Sequence, residues 1–184
     1  MGSIASRGQL RMSFLRWAAV IVPLVLLLGF LSGRTVASGD DSAWYVALAK
    51  PSFTPPGWVF PVAWSILYAM MGAAMALVLS ARGARLRGLA TALFVGQLAL
   101  NLAWTPLFFG AHKVDAALLV IVGILGLALM TTIVFARIRR AAAWLMVPYL
   151  AWLLFAGALN WRISVLNPDA EHLVPGGAAS QMIG

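Results

Sequence analysis

The sequence contains no cysteine. That excludes disulfides, thiolate metal sites, iron–sulfur clusters and a cysteine nucleophile. Charge is scarce too: Asp, Glu, Lys and Arg make up 10% of the 184 residues. A soluble domain carries about 25%, so an ordinary cytosolic globule is excluded. There is no Gly-rich phosphate loop, no cluster of metal-ligating side chains and no Ser–His–Asp set, so hydrolytic and metal chemistry are not expected. What is present is apolar. Hydrophobic residues account for 62%, and they fall in long blocks of the kind that crosses a bilayer. The net charge of +8 would suggest nucleic acid in a soluble protein. Here it reads as an orientation signal, and no nucleic-acid partner is expected.

Apolar windows predict an all-α integral membrane protein with five spanning helices, at about residues 14–32, 57–81, 88–109, 114–136 and 141–163. Period-2 alternation, which a membrane barrel needs, is absent. The expected organisation is an N-terminal tail over 1–12, one membrane domain over 13–166 and a flexible C-terminal tail over 167–184. Five spans put the termini on opposite sides. One side holds Arg7, Arg11, Arg16, Arg82, Arg85, Arg87, Arg137, Arg139 and Arg140, and no acid. The other holds Arg34, Lys50, Lys113 and Arg162 with every acid: Asp40, Asp41, Asp115, Asp169 and Glu171. Basic residues in short loops mark the cytoplasmic side. The N-terminus is therefore expected in the cytoplasm and the C-terminus outside. The first span followed by Thr35-Val36-Ala37-Ser38 also fits a cleaved secretory signal, an alternative that would leave four spans.

No ionisable residue lies well inside a span. Such residues mark proton relays and ion paths, so a proton-coupled pump is not expected. A retinal protein is excluded for want of a buried lysine. His112 and His172 fall in an outer loop and the outer tail, away from any buried haem.

The polar and aromatic residues inside the spans form helical stripes. Gln97, Asn101, Trp104 and Phe108 make one. Pro61, Trp64, Tyr68 and Met71 or Gly72 make a second, and Tyr149, Trp152, Ala156 and Leu159 or Asn160 a third. At 1.5 Å per residue, Trp64, Trp104 and Trp152 lie about 10, 7 and 16 Å from the outer ends of their helices. They are expected to face one outer-half cavity, aromatic-walled with a few polar groups, suited to a large flat ligand. The competing reading is that tryptophans form an interfacial belt and amides bond neighbouring helices. Trp17, Trp58, Trp144 and Trp161, near span ends, are assigned to that belt.

Ala92, Gly96, Ala99 and Ala103 form a stripe of small residues on the third span, a helix–helix contact either internal or between subunits. The first loop, residues 33–56, is long for a bundle. With its flank it carries Trp44, Tyr45, Lys50, Pro51, Phe53, Pro55, Pro56 and Trp58. It reads either as a lid over the cavity or as a loop packed on helix ends.

At these residues the sequence resembles the translocator protein / tryptophan-rich sensory protein family (TSPO/MBR). The matching segments are Trp44-Tyr45, Lys50-Pro51 through Pro55-Pro56-x-Trp58-Val59, and Pro61-x-x-Trp64-x-x-x-Tyr68. Gly96-Gln97-Leu98-Ala99-Leu100-Asn101-x-x-Trp104-x-Pro106-x-Phe108-Phe109-Gly110, Pro148-Tyr149-Leu150-Ala151-Trp152 and Leu159-Asn160 follow in order. The resemblance implies a bacterial-type member with five membrane helices, usually homodimeric. It implies a pocket beneath the first loop for tetrapyrroles such as protoporphyrin IX, and in some members for sterols and other flat hydrophobic, drug-like ligands, with no cofactor required. Trp64, Asn101, Trp104, Trp152, Ala156, Leu159 and Asn160 carry over as pocket residues, joined by Tyr68 and Gln97 from the stripes. The implied role is a membrane receptor or sensor that regulates or transports porphyrins. Light- and oxygen-dependent porphyrin breakdown, credited to some members, would make Trp64 and Trp152 the candidate catalytic residues; a scaffold with an incidental pocket is a third possibility. The family's sterol-recognition pattern is broken here, because its basic position falls on Val165. Sterol binding through that motif is not expected.

Overall fold

The computed structural model describes residues 7–173. Five helices in it are long and apolar enough to cross a membrane. They are α1 (Arg7–Gly33), α3 (Val59–Ser80), α4 (Arg87–Thr105), α5 (Val114–Ile138) and α6 (Arg140–Leu166), with a short α2 (Ala43–Ala47) in the first loop. The protein is thus an all-α integral membrane bundle. Backbone polar groups find no water in the hydrocarbon layer, so each crossing segment satisfies them as a helix.

The main packing contacts run α1 to α3, α3 to α6, α6 to α5 and α5 to α4. A smaller α4–α1 contact closes the ring, where Ser32 Oγ donates to the Leu102 carbonyl at 2.6 Å. Glycine sets the α1–α3 approach. A Cβ on Gly72 would lie 2.8 Å from the Val22 Cα, and one on Gly29 would overlap the Tyr68 ring. Small residues let backbones meet closely where no hydrophobic effect pushes helices together. Val25 is the one fully buried α1 side chain among those described, while Leu24, Leu27, Phe30 and Leu31 face outward. Lipid covers such a face at no cost.

Helix ends depart from the apolar windows. The helix starts at Arg7, so the tail expected over 1–12 shortens. A hydropathy window marks where a helix crosses hydrocarbon and is blind to its polar extension. The third span ends at Thr105 and continues as a π-turn over Pro106–Gly110, because Pro106 has no N–H to donate. The Ala111 N–H closes that turn on the Pro106 carbonyl at 2.9 Å. The α5–α6 connection is Arg139 alone, in extended conformation. At the C-terminus the expected boundary also moves. Asn167 to Leu173 pack on the first loop, with a 3₁₀ turn over Ala170–His172 and Ala170 buried. The rest of the expected tail, residues 174–184, lies outside the described residues, as do residues 1–6.

Candidate functional site

Inside the bundle a chain of buried hydrogen bonds joins three helices. The Tyr68 hydroxyl (α3) donates to Asn101 Oδ1 (α4) at 2.7 Å. Asn101 Nδ2 donates to the Tyr149 hydroxyl (α6) at 3.1 Å, and that hydroxyl donates to Gln97 Oε1 at 2.7 Å. Gln97 and Tyr149 are fully buried. Asn101 and Gln97 lie one turn apart on α4, so both amides aim at the same flank of α6.

Above this network two aromatic ladders run toward the loop. In the first, Trp64 stacks on Tyr68 with centroids 5.3 Å apart. Trp152 meets Trp64 edge-on at 6.3 Å, and Phe155 lies 5.3 Å from Trp152. Phe53, from the loop, closes on Phe155 at 6.3 Å, and Phe60 flanks Trp152 at 6.0 Å. In the second, Trp104 stacks on Phe108 at 4.9 Å. Phe108 meets Trp44 at 5.4 Å, and Trp44 stacks on His112 at 4.3 Å. Phe108 lies within the π-turn and faces inward, where it is 2% exposed.

The expected site residues are therefore split. Trp64, Tyr68, Gln97, Asn101 and Trp152 come together. Trp104 packs against the same core, but its ring contacts are Phe108 and Phe109. Leu159 lies in the second apolar cluster, with Trp44, Tyr45 and Phe108. Asn160 Nδ2 donates to the Val114 carbonyl at 2.9 Å, tying α6 to the start of α5. Ala156 is half-buried. Beneath the loop the rings pack against one another. A lateral groove of about 420 Å³ lies between α3 and α6, walled by Ala63, Leu67, Ala151, Trp152 and Phe155 among others.

Four buried polar atoms here lack a hydrogen-bond partner: Gln97 Nε2, Trp104 Nε1, Trp152 Nε1 and Asn160 Oδ1. A buried group left unpaired costs about 1–3 kcal/mol. The two that belong to the Trp64–Trp152 group, Gln97 Nε2 and Trp152 Nε1, are both donors, so that group is disposed toward a ligand bearing hydrogen-bond acceptors.

The loop packs over both ladders and is pinned there. Ser42 caps α2, accepting from the Tyr45 N–H at 3.2 Å, and Trp44 and Tyr45 are buried. Trp44 Nε1 donates to the Ala170 carbonyl at 2.8 Å. Asn167 accepts from the Ala49 N–H and donates to its carbonyl, each at 2.8 Å. Lys113 pairs with Glu171. Lys50 lies over the Tyr45 ring at 4.6 Å; burial lowers its pKa, and Asp40 partly offsets this. Burial, with Asp40 adding to it, pushes the Tyr45 hydroxyl up. Pro51 is buried and Pro55 half-buried, whereas Pro56 is exposed. Trp58, grouped with the lid from sequence, is 68% exposed, as the belt assignment has it.

Sequence reasoning passed over Tyr149 as a site residue, although it stood on the right stripe. The available signal was its hydroxyl. A tyrosine three residues before Trp152, deep in a span, needs a partner, and Asn101 and Gln97 were the amides on offer. Phe60 and Phe155 carried no such signal.

Comparison with known proteins agrees with this architecture. Residues 19–166 match the sequence profile of the TspO/MBR family. The chain is 41% identical over 151 residues to the Tryptophan-rich protein TspO of Chlorobaculum tepidum, spanning 82% of this chain and 95% of that one. It is 40% identical over 143 residues to Protein CrtK of Rhodobacter capsulatus, covering 77% and 89% respectively. It is 40% identical over 138 residues to the Translocator protein of Homo sapiens, covering 74% and 82%.

Proposed function

Because the chain belongs to the TspO/MBR family, we propose that it is a membrane sensor or carrier that binds a flat tetrapyrrole, such as protoporphyrin IX, on the Trp64–Trp152 ladder. The observation that carries this reading is the pairing of aromatic faces with unpartnered donors. Trp152 offers both a ring and a buried N–H without a partner. A planar macrocycle with acidic substituents supplies the complement: a face to stack on and acceptors for the indole N–H groups. Phe53 and the loop close the outer end. No cofactor is needed for such binding.

Two further features belong to the same proposal. The arginine-bearing end faces the cytoplasm and the loop faces outside, as the basic-residue count requires. The protein is a homodimer through Ala92, Gly96, Ala99 and Ala103. In the single chain the three alanines are exposed and Gly96 is half-buried, so the stripe is free to receive a second copy.

The test is quenching of intrinsic fluorescence on titration with protoporphyrin IX. An aromatic contact is worth about 0.5–1.5 kcal/mol beyond area burial, and a tenfold change in affinity is about 1.4 kcal/mol. Trp152→Ala is expected to weaken binding by about tenfold. Trp144→Ala, at a ring 72% exposed near the other end of α6, is expected to leave it unchanged. Equal weakening by both variants sinks the proposal and leaves only partitioning onto apolar surface. Absorbance of bound porphyrin in light and darkness then separates binding from breakdown; a stable, shifted band is expected.

A further inference from the structure

A second groove lies at the arginine-bearing end of the bundle, between α1 and the turn after α3. It has a volume of about 300 Å³ and is lined by Ser13, Arg16, Trp17, Val20 and Arg82. We propose that it binds the phosphate headgroup of an anionic phospholipid, with the upper part of an acyl chain along Trp17 and Val20.

The charge at this site is uncompensated. Arg16 and Arg82 are exposed, and the only salt bridge among the described residues is Lys113–Glu171, at the other end of the molecule. All five acids, Asp40, Asp41, Asp115, Asp169 and Glu171, lie in segments of that other end. Among the described residues no carboxylate is paired with either guanidinium. Ser13 Oγ, also in the groove wall, is buried without a hydrogen-bond partner.

The spacing supports a lipid rather than a free anion. Ser13, Arg16, Trp17 and Val20 fall at i, i+3, i+4 and i+7 and share one face of α1. Polar groups thus come first, and an apolar wall follows one turn deeper, toward the hydrocarbon. Guanidinium groups hold phosphate oxygens in pairs, and indoles favour the headgroup level of a bilayer. A zwitterionic lipid brings its own cation to this cationic groove and is disfavoured; phosphatidylglycerol does not. Arg85, Arg87, Arg137, Arg139 and Arg140 carry the same charge but do not line the groove, which separates a site from a general basic belt.

The experiment is native mass spectrometry of the full chain in detergent, titrated with phosphatidylglycerol or phosphatidylcholine. The first phosphatidylglycerol adduct is expected to form about tenfold more tightly than the phosphatidylcholine one. A membrane-surface arginine is worth roughly fivefold in attraction to anionic lipid. Arg16→Gln and Arg82→Gln are each expected to weaken the adduct by about that factor. The pair Arg139→Gln/Arg140→Gln is the control and is expected to change it by less than about twofold. Millimolar inorganic phosphate is expected not to displace the lipid. An unchanged adduct in the Arg16/Arg82 double variant overturns the proposal. So does an equal loss in the control pair, which would mean a diffuse belt, or displacement by phosphate, which would mean a free-anion site. All four side chains are exposed, so the variants are expected to unfold at the wild-type temperature, which is measured alongside.

Discussion

Removing one oxygen from the bundle core should separate what holds the site together from what binds ligand. Tyr149→Phe keeps the ring, which is fully buried and lies 6.4 Å from Trp64, and deletes the hydroxyl. That hydroxyl donates to Gln97 Oε1 at 2.7 Å and accepts from Asn101 Nδ2 at 3.1 Å. Both amide atoms are left unpaired, on a residue whose Nε2 is already without a partner in the case of Gln97. Interhelical hydrogen bonds in membrane proteins are worth about 0.6 kcal/mol on average and about 1.7 at most. Two lost bonds give a destabilisation of roughly 1–3 kcal/mol. For a chain of this size each kcal/mol lowers Tm by about 2–4 °C. Thermal unfolding in detergent should therefore show a drop of roughly 2–12 °C. Tyr68→Phe breaks a single bond, to Asn101, and should cost about half as much. In Tyr149→Phe/Asn101→Leu one stranded amide is gone, so the double variant should lose less than the sum of its singles. Porphyrin affinity should stay within about twofold in Tyr149→Phe, because the aromatic face survives. If Tyr149→Phe melts with the wild type, or Tyr68→Phe costs more, the network does not bind the three helices together and the reasoning fails.

Three further outcomes are expected. Gly72→Val places a branched side chain against the Val22 backbone, where even a Cβ would lie at 2.8 Å; overpacking of this kind costs about 1–3 kcal/mol, read as a lowered unfolding temperature. Asn167→Ala removes the side-chain bonds to Ala49 and Ile163, so amide hydrogen exchange in α2 and the residues after it should quicken several-fold while exchange in α5 stays as it was. Gly96→Leu thickens the small-residue stripe of the proposed dimer; light scattering in detergent should show dimer in the wild type giving way to monomer in the variant, and an unchanged dimer would place the interface on another face.

The number of spans and their approximate limits follow from local properties alone. A run of apolar residues about as long as the bilayer is thick has only one way to satisfy its backbone, so composition suffices for the all-α class. The stripes were legible for a similar reason: residues at helical spacing share a face whatever that face meets. Gln97 with Asn101, and Trp64 with Tyr68, were therefore grouped correctly within their own helices. Which stripe meets which depends on how helices rotate and cross, and those are properties of pairs. Only the tertiary structure put Trp64 on Trp152 and Tyr149 between two amides, and it sent Asn160 to Val114. The π-turn over Pro106–Gly110 was not legible in the spacing, yet Phe108 still stacks on Trp104, as the stripe read across that proline has it. The role of Asn167 and Ala170 in pinning the loop was invisible for a related reason. Their partners, Ala49 and Trp44, are 118 and 126 residues away, and a contact across that distance exists only once the whole bundle has formed.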